Sequence, residues 1–110
     1  MKLASRMVAV LALLLATARA FAQDDENVVK IGAIHPLTGG LANDGLGMDQ
    51  AIQMAVAEIN ESGMLGDLTL ELLSADSTGS ADVGQEEAVR LIEEESVSAL
   101  IGTFQSAVTA

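Results

Sequence analysis

Residues 97–110, VSALIGTFQSAVTA, carry the change of pattern that decides the fold. The segment starts with a short apolar run that is typical of a buried strand, and Gly102 ends that run. Three turn residues follow, and a stretch of small residues begins at Ser106. This order predicts a strand, a tight turn and a helix whose N-cap is Ser106. Because a helix N-terminus presents free N–H groups and a partial positive charge, the turn suits an anionic group such as a carboxylate.

Two strand-and-helix units precede this segment. Residues 28–34 (VVKIGAI) and 68–74 (LTLELLS) have the apolar, β-branched character of buried strands, and residues 97–101 form a third strand. Stretches with helical spacing lie between them, so the predicted order is β-α-β-α-β-(α). Strands that alternate with helices in this way are typical of an α/β fold, with a parallel sheet, flanking helices and right-handed crossovers.

The two complete helices each present one apolar face. The first begins at residue 45 or 48, ends near residue 60 and places Asp49 off its apolar stripe. That stripe comprises Met48, Ile52, Ala55, Val56 and Ile59. The second helix begins with Asp82 as N-cap, in a capping box with Gln85, and runs to about Glu95. Its buried side comprises Val83, Ala88, Leu91 and Ile92.

Three loops follow the predicted strands, at residues 35–47, 75–82 and 102–105. Ligands of open parallel sheets bind beyond the carboxyl ends of the strands, so we expect the function to reside in these loops. The glycines of the first loop fit neither phosphate-binding spacing, GxGxxG or GxxxxGK[ST], and are interpreted as turn formers. Asp76, which ends the second strand, is interpreted as a turn former as well.

Residues 1–22 are predicted to be a signal peptide rather than part of the fold. Lys2 and Arg6 precede an apolar core at residues 7–16, which is too short to span a membrane. Cleavage at the second of two small-x-small sites, near Ala22, leaves residues 23–110; an uncleaved anchor is the alternative. The sequence has no cysteine, which excludes the acylated lipoprotein route and disulfide bonds. We therefore expect a soluble periplasmic protein that is not inserted in the membrane once the signal is removed.

The mature chain is strongly acidic. Removal of the leader leaves two basic residues, Lys30 and Arg90, against sixteen acidic ones, a net charge of −14. Such a surface repels phosphate backbones and anionic lipids, which excludes nucleic acid as a partner. The apolar periodicity in every segment argues against disorder at this charge.

The mature chain lacks the residue combinations that catalysis requires. It has no Ser-His-Asp set, no pair of carboxylates for acid–base chemistry and no metal-binding cluster. His35 is the single histidine, and its place beside Pro36 at a strand end is typical of a hydrogen-bonded structural residue. We therefore expect no enzyme, no cofactor and no metal.

Residues 31–76 (IGAIHPLTGGLANDGLGMDQAIQMAVAEINESGMLGDLTLELLSAD) and 86–110 (EEAVRLIEEESVSALIGTFQSAVTA) resemble a known family. They are similar to the N-terminal lobe of the periplasmic branched-chain amino acid binding proteins, the type I solute-binding proteins of ABC transporters. The shared features are PLTG after the first strand, an A-x-x-x-A-x-x-x-I-N helix, a G-x-x-G turn and a second strand that ends in Asp. The third strand ends in IG, with a serine four residues on.

The resemblance implies two α/β lobes joined by a hinge, which close on a small solute and deliver it to a membrane permease. Residues 23–110 would then be the N-terminal part of the first lobe. The expected ligand is a branched-chain amino acid or a similar small amino acid or amide. Because half of the cleft would be missing, we expect residues 23–110 alone to bind solute weakly or not at all.

The resemblance also implies roles for individual residues. Ser106 would hold the α-carboxylate of the ligand through its hydroxyl and its N–H group, and Phe104 would line the pocket for the ligand side chain. Gln105 lies between them and belongs to the same candidate set. Asn43 and Asp44 stand where the family often has an aromatic residue, and Asp44 is the fourth candidate. For Ser106 the simpler alternative is helix capping alone, and for Phe104 it is filling of the local core.

Two other functions are compatible with the same sequence. One is a sensory ectodomain of the same fold, which predicts an apolar run of about 20 residues downstream. The other is an exported enzyme on a flavodoxin-like sheet, which needs a nucleophile or an acid–base pair outside these residues.

Overall fold

The computed structural model describes residues 26–109, and within them three strands alternate with three helices in the predicted order. The predicted signal peptide lies outside the described residues. The elements are β1 (Val28–His35), α1 (Ala42–Ser62), β2 (Thr69–Asp76), α2 (Ala81–Glu93), β3 (Ala99–Gly102) and α3 (Ser106–Thr109).

The three strands form one parallel sheet in the order β2-β1-β3. β1 is the central strand, and its apolar, β-branched sequence fits a position between two neighbours. In the register, His35 lies beside Asp76, and Ile34 lies beside Gly102. The carboxyl ends of all three strands therefore meet at one edge, and the predicted α/β fold with a parallel sheet is confirmed.

The two long helices lie on opposite faces of the sheet. Leu91 of α2 packs with Ile34 and Ala75 in the core, whereas Ser74, the residue before Ala75, bonds to Asp49 of α1. Successive side chains of a strand point to opposite faces, so α1 and α2 are separated by the sheet. The connection through α1 runs from β1 to β2, and the connection through α2 runs back from β2 past β1 to β3. Because the two run in opposite directions on opposite faces, both crossovers have the same hand.

The core on the α2 face is centred on Leu91, which is 0% exposed. Gly32 in the central strand makes room for it, because a Cβ atom there would lie 2.9 Å from Leu91 Cδ1 and 2.6 Å from Leu100 Cδ2. Ile92 was also predicted to be buried, and that prediction is wrong, since Ile92 is 53% exposed. Leu91 occupies the one position of this turn that points at the sheet, and Ile92 is rotated away from it.

Helix α1 starts earlier than predicted and buries a different stripe. It begins at Ala42, and Gly63, with φ 68°, ends it in the left-handed conformation that the sequence indicated. Asp49 is only 6% exposed, whereas Met48 and Ala55 are exposed, which contradicts the predicted stripe. The face turned to the sheet comprises Gly45, Asp49, Ile52, Val56 and Ile59. It keeps the spacing of three and four residues but places an aspartate where an apolar residue was expected.

Helix α2 is capped by a different residue from the one predicted. The N-cap is Ser80, whose hydroxyl accepts a hydrogen bond from the N–H of Val83. Asp82 lies in the first turn, where its charge still favours the helix dipole. The helix ends at Glu93 rather than near Glu95. The predicted capping box is therefore wrong, because the chain enters the helix two residues earlier.

Strand β3 is the least covered element of the sheet. All four of its residues are exposed, and its outer edge pairs with no strand among residues 26–109. This open edge adjoins the turn that carries the candidate site.

Candidate functional site

Three loops leave the carboxyl edge of the sheet side by side, as the sequence predicted. They are the first loop (residues 36–41, after β1), the second loop (residues 77–80, after β2) and the third loop (residues 103–105, after β3). All four candidate residues lie in the third loop or in the first turns of α1 and α3. The edge is therefore the place where the sequence candidates are brought together.

Asp76 joins the first loop to the second. Its Oδ1 accepts hydrogen bonds from the backbone N–H groups of Leu37 and Thr78, both at 2.8 Å, and its Oδ2 accepts one from the hydroxyl of Thr38 at 2.6 Å. Partial burial raises the pKa of the Asp76 carboxyl, whereas the hydrogen bonds from Thr38, Thr78 and Leu37 lower it. The combined effect of the hydrogen bonds is the larger, so the pKa lies below its usual value. The predicted turn-forming role is confirmed, although the bonds to the first loop were not foreseen.

Two glycines allow the backbone to approach closely at this edge. Gly102 has φ 131°, and a Cβ atom there would collide with the carbonyl oxygen of Ile34. A Cβ atom at Gly45 would collide with the carbonyl oxygen of Pro36. Glycine is therefore required at both positions. Gly102 lets the start of the third loop pack against β1, and Gly45 lets the first turn of α1 pack against the first loop.

Phe104 and Asp44 border the same groove, although 60 residues separate them in the chain. The groove has a volume of about 410 Å³, and its other borders are Asn43, Gly47, Met48 and Ala51 of α1. Phe104 is 37% exposed. The only aromatic ring within residues 26–109 therefore borders an open groove at the α1 side of the edge.

Gln105, not Ser106, occupies the N-cap position of α3. The carbonyl group of Gln105 accepts hydrogen bonds from the N–H groups of Val108, at 3.0 Å, and Thr109, at 3.2 Å. Ser106 is the first residue of the helix and is exposed. The chain therefore enters this helix one residue earlier than the spacing indicated, and Ser106 stands at the open end of the turn.

Buried polar atoms without partners gather near this edge. The side-chain oxygens of Gln105 and Thr103 are buried, and neither has a hydrogen-bond partner within residues 26–109. His35, at the end of β1, is 4% exposed, and neither of its ring nitrogens has a partner in the same part of the chain. The hydrogen bond expected for the His35 ring is therefore not found within residues 26–109. No local signal in the sequence distinguishes a paired from an unpaired histidine at a strand end.

The lysine and the arginine within residues 26–109 lie at the opposite edge of the sheet. Lys30, near the start of β1, donates to the carbonyl oxygen of Glu95 at 3.3 Å. Arg90 pairs with Glu87 at 2.6 Å and with Glu95 at 3.3 Å. An anionic group at the carboxyl edge would therefore meet neutral hydroxyl and N–H donors from this part of the chain.

The part of the chain that the structure describes comprises residues 26–109. It contains no group of three or more His, Cys, Asp or Glu side chains arranged to hold a metal ion. None of its helices combines the length and the apolar character that crossing a membrane requires.

Comparison with known proteins places this geometry in a family. Residues 28–110 match the family described as periplasmic binding protein. A comparison with curated protein sequences gave no match.

Three solved structures show which members the chain is similar to. The branched-chain amino acid substrate-binding protein LivJ of Streptococcus pneumoniae, in complex with isoleucine, is 28% identical over 74% of this chain, with a TM-score of 0.71. The leucine-binding protein LivK of Thermotoga maritima is 34% identical over 74%, with a TM-score of 0.67. An ABC transporter solute-binding protein of Rhodopseudomonas palustris, in complex with 3,4-dihydroxybenzoic acid, is 27% identical over 68%, with a TM-score of 0.60.

The chain spans less than a quarter of the length of these relatives: 24% of LivJ, 22% of LivK and 20% of the Rhodopseudomonas protein. The family match nevertheless runs through every described strand and helix, and the parallel sheet agrees with it. The chain therefore belongs to the periplasmic binding protein family, in the type I group of solute-binding proteins that includes the branched-chain amino acid binding proteins.

Proposed function

We propose that the protein is the extracytoplasmic solute-binding component of an ABC transporter. In this proposal it binds a branched-chain amino acid, or a similar small amino acid or amide, and delivers it to a membrane permease. Residues 1–22 direct export and are removed near Ala22, which leaves the protein in the periplasm. Family membership and the isoleucine in the LivJ structure support this proposal.

The observation that carries the proposal is the arrangement at the carboxyl edge of the sheet. The exposed start of α3 at Ser106 offers a hydroxyl and N–H groups, which suit a carboxylate. Phe104, two residues earlier, borders an open groove of about 410 Å³ that can receive an apolar side chain. In this proposal one short turn supplies a polar contact at Ser106 and an apolar one at Phe104, with Gln105 between them in the sequence and Asp44 also bordering the groove.

A second class of ligand is favoured by one of the relatives. The Rhodopseudomonas protein holds 3,4-dihydroxybenzoic acid, an aromatic carboxylate without an ammonium group. The contacts proposed for Ser106 and Phe104 serve any small carboxylate with an apolar body. Only the affinities of this protein for amino acids and for aromatic carboxylates, measured side by side, distinguish the two classes of ligand.

The test is titration calorimetry on the protein expressed from its complete gene. We expect binding of L-isoleucine, L-leucine or L-valine in preference to 3,4-dihydroxybenzoate. Ser106→Ala should weaken that binding about tenfold or more, because a hydrogen bond to a charged group contributes about 1.5–3 kcal/mol. The matched control is Ser98→Ala, an exposed serine at the opposite edge, whose affinity should equal that of the unmodified protein.

Two results would contradict the proposal. One is the absence of binding by every amino acid, amide and small carboxylate tested. The other is equal affinity of the Ser106→Ala and Ser98→Ala variants for the amino acid that binds, which would remove Ser106 from the site. Preferential binding of 3,4-dihydroxybenzoate would replace the amino acid by the second ligand class.

A further inference from the structure

Asp76 makes more contacts than a turn-forming aspartate needs. An aspartate that only initiates a turn accepts from an N–H group two residues on, as Asp76 does from Thr78. Asp76 also accepts from the N–H of Leu37 and the hydroxyl of Thr38, which are 39 and 38 residues away in the chain. The same carboxylate therefore holds two separate loops.

The conformation of the second loop depends on this carboxylate. Thr78 has φ 54°, in the left-handed region that β-branched residues rarely adopt. Its N–H group is one of the two that bond to Asp76 Oδ1. A Cβ atom built at Gly39 would lie 3.7 Å from the carbonyl oxygen of Thr78, so the first loop passes close to the strained residue.

The third loop lies beside the second. A Cβ atom built at Gly79 would lie 3.7 Å from Oε1 and 3.8 Å from Nε2 of Gln105, so these side-chain atoms lie close to the second loop. Gln105 caps α3 through its carbonyl group, and Ser106 follows it. The hydrogen bonds of Asp76 therefore join the first loop to the second, and the second loop lies next to the turn that carries Ser106.

We propose that Asp76 is a positioning residue that fixes the three loops relative to one another and so sets the geometry of the ligand site at Ser106 and Phe104. The part of this inference that concerns affinity rests on the proposed function, whereas the part that concerns loop geometry does not. Asp76 touches the loops only and acts on the ligand through them. Its bonds require an oxygen that accepts two N–H groups, which a carboxylate or an amide supplies and a methyl group does not.

The experiment compares three variants of the protein expressed from its complete gene. Asp76→Ala removes all three bonds. Asp76→Asn keeps an oxygen that can accept from Leu37 and Thr78 and loses only the acceptor for Thr38. Asp49→Ala is the matched control, because Asp49 is also a hydrogen-bonded carboxylate but bonds Ser74 and Gln53 beneath α1, away from the loops.

Three quantities are measured for each variant. The first is the amide hydrogen-exchange rate of Leu37 and Thr78, and the second is the NMR chemical shifts of Gln105 and Ser106. The third is the dissociation constant for L-isoleucine. We expect Asp76→Ala to speed exchange at both amides at least tenfold, to move both NMR shifts and to weaken isoleucine binding at least tenfold. In Asp76→Asn the exchange rates, the NMR shifts and the dissociation constant should stay close to those of the unmodified protein. Asp49→Ala should lower the thermal stability and leave all three of these quantities unchanged.

The inference is overturned if exchange at Leu37 and Thr78 is the same in Asp76→Ala as in the unmodified protein. It is overturned equally if Asp49→Ala changes exchange and affinity as much as Asp76→Ala does, since any loss of stability would then suffice. If the unmodified protein does not bind isoleucine, the proposed ligand is wrong, and the exchange rates and NMR shifts still decide the role of Asp76.

Discussion

Asp76 is the residue whose ionisation the structure ties most directly to the loops. Because the folded protein lowers the pKa of its carboxyl below the usual value of 3.8, the ionised form stabilises the folded state. This contribution is fully present above pH 3.8 and is lost as the pH falls through the lowered pKa. We expect the difference in unfolding free energy between the unmodified protein and Asp76→Asn to be constant from pH 7 to pH 5 and to shrink below pH 3.8. Urea titrations at several pH values measure it.

The control for that pH dependence is Asp49→Asn, compared with the unmodified protein over the same range. Asp49 does not contact the first or second loop, and its partners are Ser74 and Gln53. A difference for Asp76→Asn that stays undiminished at the lowest pH at which both proteins fold would contradict the expectation. In that case the neutral acid would hold the loops as well as the carboxylate does.

The periodicity of apolar residues in the sequence could not predict which polar residues are buried. Asp49 was placed off the buried stripe because a charged side chain is counted as solvent-facing. Its carboxylate is nevertheless satisfied beneath the helix, by the hydroxyl of Ser74 at 2.6 Å and by Gln53 at 2.6 Å. Ser74 is 25 residues away in the chain, so no local window contains this pairing. Contacts of Asp76 with Leu37 and Thr38 escaped prediction for the same reason.

At the scale of elements, α2 holds the core through one side chain. We expect Leu91→Ala to lower the unfolding free energy by about 2–5 kcal/mol, because it removes a fully buried side chain and leaves a cavity against Gly32. Ile92→Ala is the matched control, since Ile92 is the next residue, has the same number of carbon atoms and is 53% exposed. We expect Ile92→Ala to lower the unfolding free energy by well under half as much as Leu91→Ala does. Urea titration of both variants provides the measurement, and similar costs would show that the assignment of the buried face is wrong.

The strands, the helices and their order followed from the sequence because each element carries its own local signal. The β-branched run of β1 and the glycine at Gly63 are such signals, and both predicted the right feature. Boundaries were less accurate where tertiary contacts decide them. Helix α1 begins at Ala42 because Gly45 lets its first turn pack on Pro36, and no periodic pattern reports that contact. The loops that form the candidate site were predicted, but the bonds that fix them were not.

At the scale of the whole molecule, charge is distributed so that the candidate site lacks basic side chains. Lys30 and Arg90 are the lysine and the arginine of residues 26–109, and both lie near the amino edge of the sheet beside Glu95. A ligand carboxylate at the carboxyl edge would therefore be held by dipoles and hydroxyl groups from this segment. Such a site favours a zwitterion, whose net charge is zero, over a dianion in the field of a strongly acidic protein.

The open side of the site leads to the last prediction. Small-molecule sites usually bury about 70–90% of the ligand surface, whereas here the groove beside Phe104 is open and all four residues of β3 are exposed. This chain spans only 24% of the length of LivJ. The resemblance implies a cleft between two lobes, of which residues 23–110 would form part of one. We expect residues 23–110, expressed alone, to bind L-isoleucine at least a hundredfold more weakly than the protein from the complete gene.

Titration calorimetry on both proteins in the same buffer measures this ratio, and circular dichroism shows whether the short segment is folded. The matched control is Ser106→Ala in each background. In the complete protein this change removes a contact to a bound ligand, so the affinity should fall. In the short segment the affinity should already lie below the range that calorimetry resolves, so neither the segment nor its variant should give a measurable heat of binding. Equal, tight binding by a folded short segment would mean that one edge of one sheet is sufficient. Affinity would then come from the Ser106 turn itself rather than from closure of two walls around the ligand.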